Sequence, residues 1–507
     1  MKNFILSLDA GTTGVQASLF SMNDMIMYGN NKVEFRQIYP QPGYVEHNPE
    51  DIWAAISKAI ANTIEIAHAK IPHFRESMIE GIGITNQRET CIAWNKVTGE
   101  IAYNALVWQD RRTAEFCNRI KKDKALNSKI QIKTGLVCDP YFSASKMQWL
   151  LENIPAVKRW QSTGELALGT IDSYLIWKLS SGKFFVTDHT NASRTMLYNL
   201  NDGCYDEELL HIFGVQKTDL PVIIESIGRC AATLNCAHLP NGIPIYGILG
   251  DQQAALFGQN AFAEGDAKVT FGTGAFLLMN TGNKPYHSTK GLLTTVAFSA
   301  KNTRLFALEG AAFVAGAAIQ FFRDNFSWYK NSAESQELLL SEPADNSLLF
   351  IPSLAGLGAP YWNPNAKGAL FGLTRGTKKE QIIRAATESV AFQNVQIFHL
   401  MEEACGKKIV QVGVDGGASR NNYLMQFQAD ILQTTLLRPA NTESTSRGAA
   451  LAALVGMTED LNILESFKHA DNHTVFTPQM NKETAQKRFE YWLRAVECIN
   501  NFYEKNL

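Results

Sequence analysis

Hydrophobic and polar positions fall into short apolar runs closed by glycine-rich turns. Phe4-Ile5-Leu6-Ser7-Leu8 is such a run, Asp9-Ala10-Gly11-Thr12-Thr13-Gly14 closes it, and Val15-Gln16-Ala17-Ser18-Leu19-Phe20 starts the next. Two strand-like runs across a tight turn predict a strand–turn–strand hairpin. Lys268-Val269-Thr270-Phe271-Gly272-Thr273-Gly274 and Val410-Gln411-Val412-Gly413-Val414-Asp415-Gly416-Gly417-Ala418 repeat the strand into a glycine turn. Ile243-Pro244-Ile245-Tyr246-Gly247-Ile248 reads as another strand, and Ala254-Ala255-Leu256-Phe257 as helix. Between Lys379 and Glu403, the positions Ile382, Ile383, Ala386, Val390, Phe398 and Met401 mark one apolar helix face. Leu424, Phe427 and Ile431 recur at i, i+3 and i+7, a second helix. The repetition of strand, acidic residue and glycine turn predicts an internally duplicated α/β chain, each half a sheet flanked by helices. No low-complexity linker divides it, so the motifs alone place the boundary near residue 250, with halves 1–250 and 251–507.

Composition narrows the function classes. A chain of 507 residues has room for two to four domains. Hydrophobic residues at 45% and charged residues at 19% are ordinary for a globular protein. A net charge of -2 without a basic run leaves nucleic-acid binding no electrostatic footprint. No stretch is long enough to span a membrane. Asp9 breaks the first apolar run too early for a secretion signal, so a cytoplasmic protein is expected. The eight cysteines are scattered, with no Cys-x-x-Cys, and are expected to be mostly buried thiols in a reducing compartment. His469 and His473 share a metal-chelating spacing but have no third ligand nearby and read as surface loop.

Asp251 carries the sharpest chemical signal. It follows the strand turn Gly247-Ile248-Leu249-Gly250 and precedes the helix, the kind of junction where open α/β sheets place chemistry. The same position suits a helix N-cap, and the local pattern leaves both readings open. The Walker A spacing is absent, so phosphate binding at residues 9–14 would use the hairpin turn: its backbone N–H groups, with the Thr12 and Thr13 hydroxyls. Asp9 would then face the metal that accompanies the phosphates. The Gly416-Gly417 pair would let backbone approach an adenosine. Nucleotide is accordingly expected in the cleft between the two halves.

Longer motifs extend this reading. Asp9-Ala10-Gly11-Thr12-Thr13, Gly250-Asp251-Gln252-Gln253-Ala254-Ala255-Leu256-Phe257-Gly258-Gln259 and Asp415-Gly416-Gly417-Ala418 resemble the FGGY carbohydrate kinases of the actin-like ATPase superfamily. Asn86 to Thr90, Val107 to Thr113, Asp139 to Ser143, Thr187 to Met196, Gly272 to Gly282 and Gly356 to Trp362 are similar to the glycerol-phosphorylating members. The resemblance runs from about residue 4 to 456 and implies two ribonuclease H-like domains around a nucleotide cleft. It implies that Arg88 and Glu89 hold two glycerol hydroxyls, Tyr141 adds a hydrogen bond, and Trp108 and Phe276 face the carbon chain. Asp251 would be the catalytic base, with Gln252 helping to place the substrate. Thr12, Thr13, Gly14 and Gln16 fall to the phosphates, and Thr273, Gly316, Gln320, Gly417 and Asn421 to the rest of the nucleotide. ATP and Mg2+ are implied, with Asp9 and Asp251 reaching the metal through water, and so is a homo-oligomer, a dimer or tetramer.

The chain also departs from the pattern. Ala10 stands where these members usually carry Gln, and Gly14-Val15-Gln16 where they carry Ser-Ser-Arg. A cation near the transferred phosphate is thus replaced by neutral Gln16. The loop that some use to bind fructose 1,6-bisphosphate is here Cys236-Ala237-His238-Leu239-Pro240-Asn241-Gly242, without Arg. Arg447 replaces an apolar residue. Two alternatives accompany the main expectation: a kinase of another short polyol or ketose such as dihydroxyacetone, erythritol or xylulose, and a catalytically weak sensor that keeps the fold. Retention of Arg88, Glu89 and Asp251 together argues against the sensor.

Overall fold

The computed structural model describes residues 3–288, 290–343, 346–441, 443–468 and 473–504. The first sheet is built from β1 (Phe4–Ala10), β2 (Gly14–Ser21), β3 (Met27–Glu34), β4 (Ile79–Asn86), β5 (Ile227–Ala232) and β6 (Pro244–Gly250). Their spatial order is β5-β6-β4-β1-β2-β3, with β1, β4 and β6 parallel, β2 antiparallel to β1, and β3 antiparallel to β2. Helix α1 (Pro49–Lys70) covers the β2–β3 end. Asn48 caps it by accepting the Glu50 N–H at 2.8 Å, Pro49 opens it, and Ile52, Ile56, Ile60 and Ile64 form its buried stripe. The Thr63 hydroxyl on the same stripe donates to the Ala17 carbonyl at 2.9 Å, so even the polar member of that face is satisfied.

The second sheet repeats the plan. It contains β7 (Asp266–Phe271), β8 (Ala275–Gly282), β9 (Leu293–Ala300), β10 (Thr303–Ala312), β11 (Gln411–Gly416), β12 (Leu436–Pro439) and β13 (His473–Phe476). The order is β9-β10-β8-β7-β11-β12-β13, with β7, β11 and β12 parallel. The series β3-β2-β1-β4-β6 therefore corresponds to β10-β8-β7-β11-β12, and the duplication expected from the glycine turns is present as topology. His473 opens β13, whereas His469 lies outside the described residues.

Helices α2 (Asp251–Gly258), α3 (Gly316–Phe326), α4 (Lys379–Cys405), α5 (Asn422–Leu432) and α6 (Ser444–Thr458) follow. The long apolar face between Lys379 and Glu403 is α4, where Ile383, Ala386, Val390, Phe398 and Met401 are buried. Helix α6 is buried on nearly every side from Ser444 to Gly456, as a helix apolar all round must be. It lies on the first sheet although it comes late in the chain. Glycines make that contact possible. A Cβ at Gly83 would land on the Ala449 carbonyl, one at Gly258 on the Ser444 carbonyl, and one at Gly448 on the Ala254 carbonyl. Backbone thus meets backbone where α6 crosses β4 and α2. A shared apolar layer, including Ile5, Phe20 and Leu256 with Leu278, Phe298 and Leu451, joins the two sheets.

Gly448→Ala forces a methyl group into the α2 backbone and is expected to lower stability by about 1–3 kcal/mol, read by urea unfolding. Gly417 has nothing within 4 Å of an added Cβ, so Gly417→Ala should stay within about 0.5 kcal/mol of the parent protein. Equal effects of the two changes would contradict the packing described.

Candidate active site

Asp251 is the first residue of α2, and Gly250 occupies the cap position before it. Asp251 is therefore not the N-cap, although its Oδ1 accepts the Gln252 N–H at 2.7 Å. Gly250 is registered with Asn86 at the ends of β6 and β4, which brings Asp251 beside the segment that follows β4. The Thr190 hydroxyl holds this corner by accepting the Gly250 N–H at 2.9 Å. Arg88 Nε lies 3.2 Å from Asp251 Oδ1. Burial raises the proton affinity of Asp251, while Arg88 and Lys268 pull it back. A carboxylate of raised basicity, 29% exposed to the cleft, is suited to accept a proton there.

Behind Asp251 runs a closed set of buried charges. Arg88 Nη1 and Nη2 donate to Glu309 Oε2 and Oε1 at 2.6 and 3.1 Å, a bidentate pair. Arg194 Nη2 donates to Glu309 Oε1 at 2.9 Å, and Arg194 Nε to Glu89 Oε1 at 2.6 Å. These four side chains are at most 3% exposed. Burial alone would raise the Glu309 carboxyl, but Arg194 and Arg88 overcome it and hold it at about 2. Glu309 belongs to β10, so this bridge crosses from the second sheet to the arginines of the first half.

Glu89 has φ +61°, a left-handed conformation that a non-glycine side chain adopts only when its surroundings impose it. The Ser143 hydroxyl donates to its carbonyl at 2.9 Å and helps to impose it. Tyr141 sits beside the same cluster, with Arg194 5.7 Å from its ring centre and the Trp108 ring edge-on at 5.6 Å. Buried Lys146 fixes the Tyr141 segment by donating to the carbonyls of Pro140, Tyr141 and Phe142, each at 2.8 Å. Trp108 Nε1 donates to Thr12 Oγ1 at 3.0 Å, connecting this pocket with the β1–β2 turn. Gln252 accepts from Lys268 Nζ, which also donates to Thr270 Oγ1 at 2.9 Å. Half-buried Phe276 is registered opposite Thr270 on the same face.

The residues expected to meet nucleotide lie at two hairpin turns, at the end of β11 and on or before the helices α3 and α5. Gly14 closes the first turn, where a Cβ would come within 2.8 Å of the Val33 carbonyl. Thr12 is half-buried and Thr13 exposed. The second turn is tied to the start of α3: Ala315 N–H and Ala317 N–H donate to the Thr273 carbonyl at 2.8 and 3.1 Å, and Gly316 N–H to the Gly272 carbonyl at 3.1 Å. Gln320 is exposed on α3. Strand β11 ends at Gly416, whose φ of +84° and contact with Phe271 require glycine. Gly417 faces open space, and Asn421 caps α5 by accepting the Leu424 N–H at 3.1 Å.

Asp9 lies within electrostatic reach of two further carboxylates, Asp251 and Glu443. Burial, with Asp251 and Glu443, pushes the Asp9 carboxyl up to about 7 against the pull of Lys32. Gln16 Nε2 donates to Glu443 Oε2 at 3.2 Å. Among the described residues no group of three or more His, Cys, Asp or Glu is arranged to hold a metal alone. Arg447 has a structural place: it is buried, and its Nη1 donates to the Gly258 carbonyl at the end of α2 at 2.5 Å.

Sequence reasoning missed Glu309, Arg194, Lys146 and Lys268. Glu309 was visible as one carboxylate inside the apolar run Phe306-Ala307-Leu308-Glu309-Gly310-Ala311-Ala312. Arg194 lay in a quoted motif without an assigned role. Glu309→Leu leaves both arginines buried and underpaired, and is expected to cost about 3–5 kcal/mol in chemical denaturation. Glu309→Gln, which keeps an acceptor, should cost less; the reverse order would contradict the charge bridge.

Comparisons with known proteins bear on the whole chain. The N-terminal domain model of the FGGY family of carbohydrate kinases matches residues 4–258, and its C-terminal domain model matches residues 267–457. Glycerol kinases of Bacillus cytotoxicus and Bacillus mycoides are each 44% identical over 504 residues, covering 99% of this chain and 100% of theirs. The crystal structure of Plasmodium falciparum glycerol kinase with ADP superposes with a TM-score of 0.92 at 33% identity, covering 98% of both chains. A ligand-bound xylulose kinase from Lactobacillus acidophilus shares the fold at 22% identity and a TM-score of 0.86, covering 99% of both chains.

Proposed function

The chain belongs to the FGGY family of carbohydrate kinases, and from that premise we propose that it transfers the γ-phosphoryl group of ATP to glycerol, giving sn-glycerol 3-phosphate and ADP. The observation that carries this reading is the position of Asp251. It touches Arg88 of the buried charge cluster, and its charge acts on Asp9 at the end of β1.

In this reading Arg88 donates to glycerol hydroxyls, and Glu89 accepts through the carboxylate oxygen that Arg194 does not engage. Tyr141 adds a hydrogen bond, and Trp108 and Phe276 flank the carbons. Asp251 removes the proton of the terminal hydroxyl as that oxygen attacks the γ-phosphorus. The bond from that phosphorus to the β–γ bridging oxygen breaks, and ADP leaves in line. Gln252, oriented by Lys268, positions the attacking hydroxyl. The Thr12-Thr13-Gly14 turn holds phosphate oxygens; Thr273, Gly316, Gln320, Gly417 and Asn421 line the path of the nucleoside. The mutual repulsion of Asp9, Asp251 and Glu443 fits a divalent cation, which would reach Asp9 and Asp251 through water. Magnesium brought with ATP would neutralise phosphate charge there, held through water by Asp9 and Asp251.

Purified protein assayed with ATP across glycerol, dihydroxyacetone, erythritol and xylulose should show its highest kcat/KM on glycerol; a higher value for xylulose would overturn the substrate assignment. Asp251→Asn is expected to lower kcat by about 10²–10⁴-fold with the fold retained. Arg88→Ala should act mainly on the KM for glycerol, since the diol loses its charged donor. The Cys236–Gly242 loop carries neither Arg nor Lys, so activity should not change with fructose 1,6-bisphosphate. Inhibition by that ligand would place an effector site elsewhere.

A further inference from the structure

Asp9, Gln16 and Lys32 form one row across three strands, because Asp9 is registered with Gln16 and Gln16 with Lys32. Paired positions on neighbouring strands point to one face of a sheet. The opposite face of β2 and β3 is covered by α1, where Asn62 Nδ2 donates to Asn31 Oδ1 at 3.0 Å. The row containing Lys32 therefore faces the side of α6, onto which Glu443 leads and where Gln16 meets Glu443.

The charges on that side are unbalanced. Asp9 is registered with Gln16, and Gln16 in turn meets Glu443, so two carboxylates flank position 16. Position 16, at the centre of the row, is neutral and hydrogen-bonded to Glu443. The two nearby cations are already paired: Lys268 with Gln252 and Thr270, and Arg88 with Glu309 and, through Nε, with Asp251. Lys32 is exposed and has no ion pair among the described residues, and it stands two strands from Asp9 in the same row. A triphosphate entering beside these carboxylates needs more positive charge than one divalent ion provides.

We propose that Lys32, reaching from β3 over Gln16, binds the phosphates of the nucleotide and supplies the cation that position 16 lacks. This assignment rests on the kinase reading above. It makes the outermost strand of the first sheet part of the nucleotide site, although its sequence carries no phosphate motif.

Titration calorimetry with ADP and magnesium tests it. Lys32→Ala is expected to raise the Kd for MgADP about tenfold and leave glycerol binding unchanged. Gln16→Arg introduced into the Lys32→Ala protein should restore the affinity, whereas in the parent protein it should add little. Unchanged MgADP binding by Lys32→Ala overturns the assignment. So does an equal gain from Gln16→Arg in both backgrounds, because the two positions would then act independently. Parent protein that binds no MgADP overturns the kinase reading itself, a result separable from the failure of Lys32 alone. The exposed position of Lys32 leaves the fold unaffected, which circular dichroism of the variant verifies.

Discussion

Glu309 holds two arginines that the rest of the site is built upon. Arg88 and Arg194 are both removed from water, and each needs a carboxylate at hydrogen-bonding distance to remain so. Glu309 serves both, from a strand of the opposite sheet, and Glu89 completes the set on Arg194. With four charges fixed by mutual hydrogen bonds, Arg88 cannot change rotamer without breaking two bonds at once. That rigidity aims its Nε at Asp251, and it establishes before any ligand arrives which face of the cleft is polar. Preorganisation of this kind removes the ordering cost at the moment of binding.

Much of this architecture was legible in the chain because it follows from local rules. The β1–β2 hairpin, the strand leading to Gly250 and the face of α4 are written in the spacing of apolar residues and glycines, and the structure has all three. Asp251 stood out because a carboxylate at a strand–helix junction is locally conspicuous. Its role as a cap was an open reading that only geometry could close, and Gly250 takes that position. Glu309 and Arg194 are different. Their meaning lies in a pairing across 115 residues, and no periodicity encodes a contact of that range. Lys146 and Lys268 were hidden for a related reason: each is a lysine inside a fold, and composition alone assigns lysine to the surface.

The departures from the family pattern have unequal consequences. Arg447 replaces an apolar residue in a buried helix, yet the Gly258 carbonyl and Asn260 accept from its guanidinium, so the substitution is absorbed by the end of α2. Gln16 is not absorbed in that way. It bonds to Glu443 and Ser18, which satisfies the amide but leaves the surrounding carboxylates without a counter-charge at that position. A change on a helix interior was met by local backbone, whereas a change beside the cleft alters the potential that an incoming anion encounters.

Helix α6 has an implication for how the protein is made. It closes the first sheet, but it is synthesised after more than four-fifths of the chain, and Glu309 also follows the whole first half. A nascent chain ending near Gly258 therefore has an uncovered sheet face and two arginines with only one of their glutamates. Such a segment cannot reach its final packing while the ribosome is still translating the second half. The Arg88–Glu89 side of the cleft, encoded first, is completed last, and a fragment consisting of the first half alone would emerge with its glycine-lined surface open to solvent.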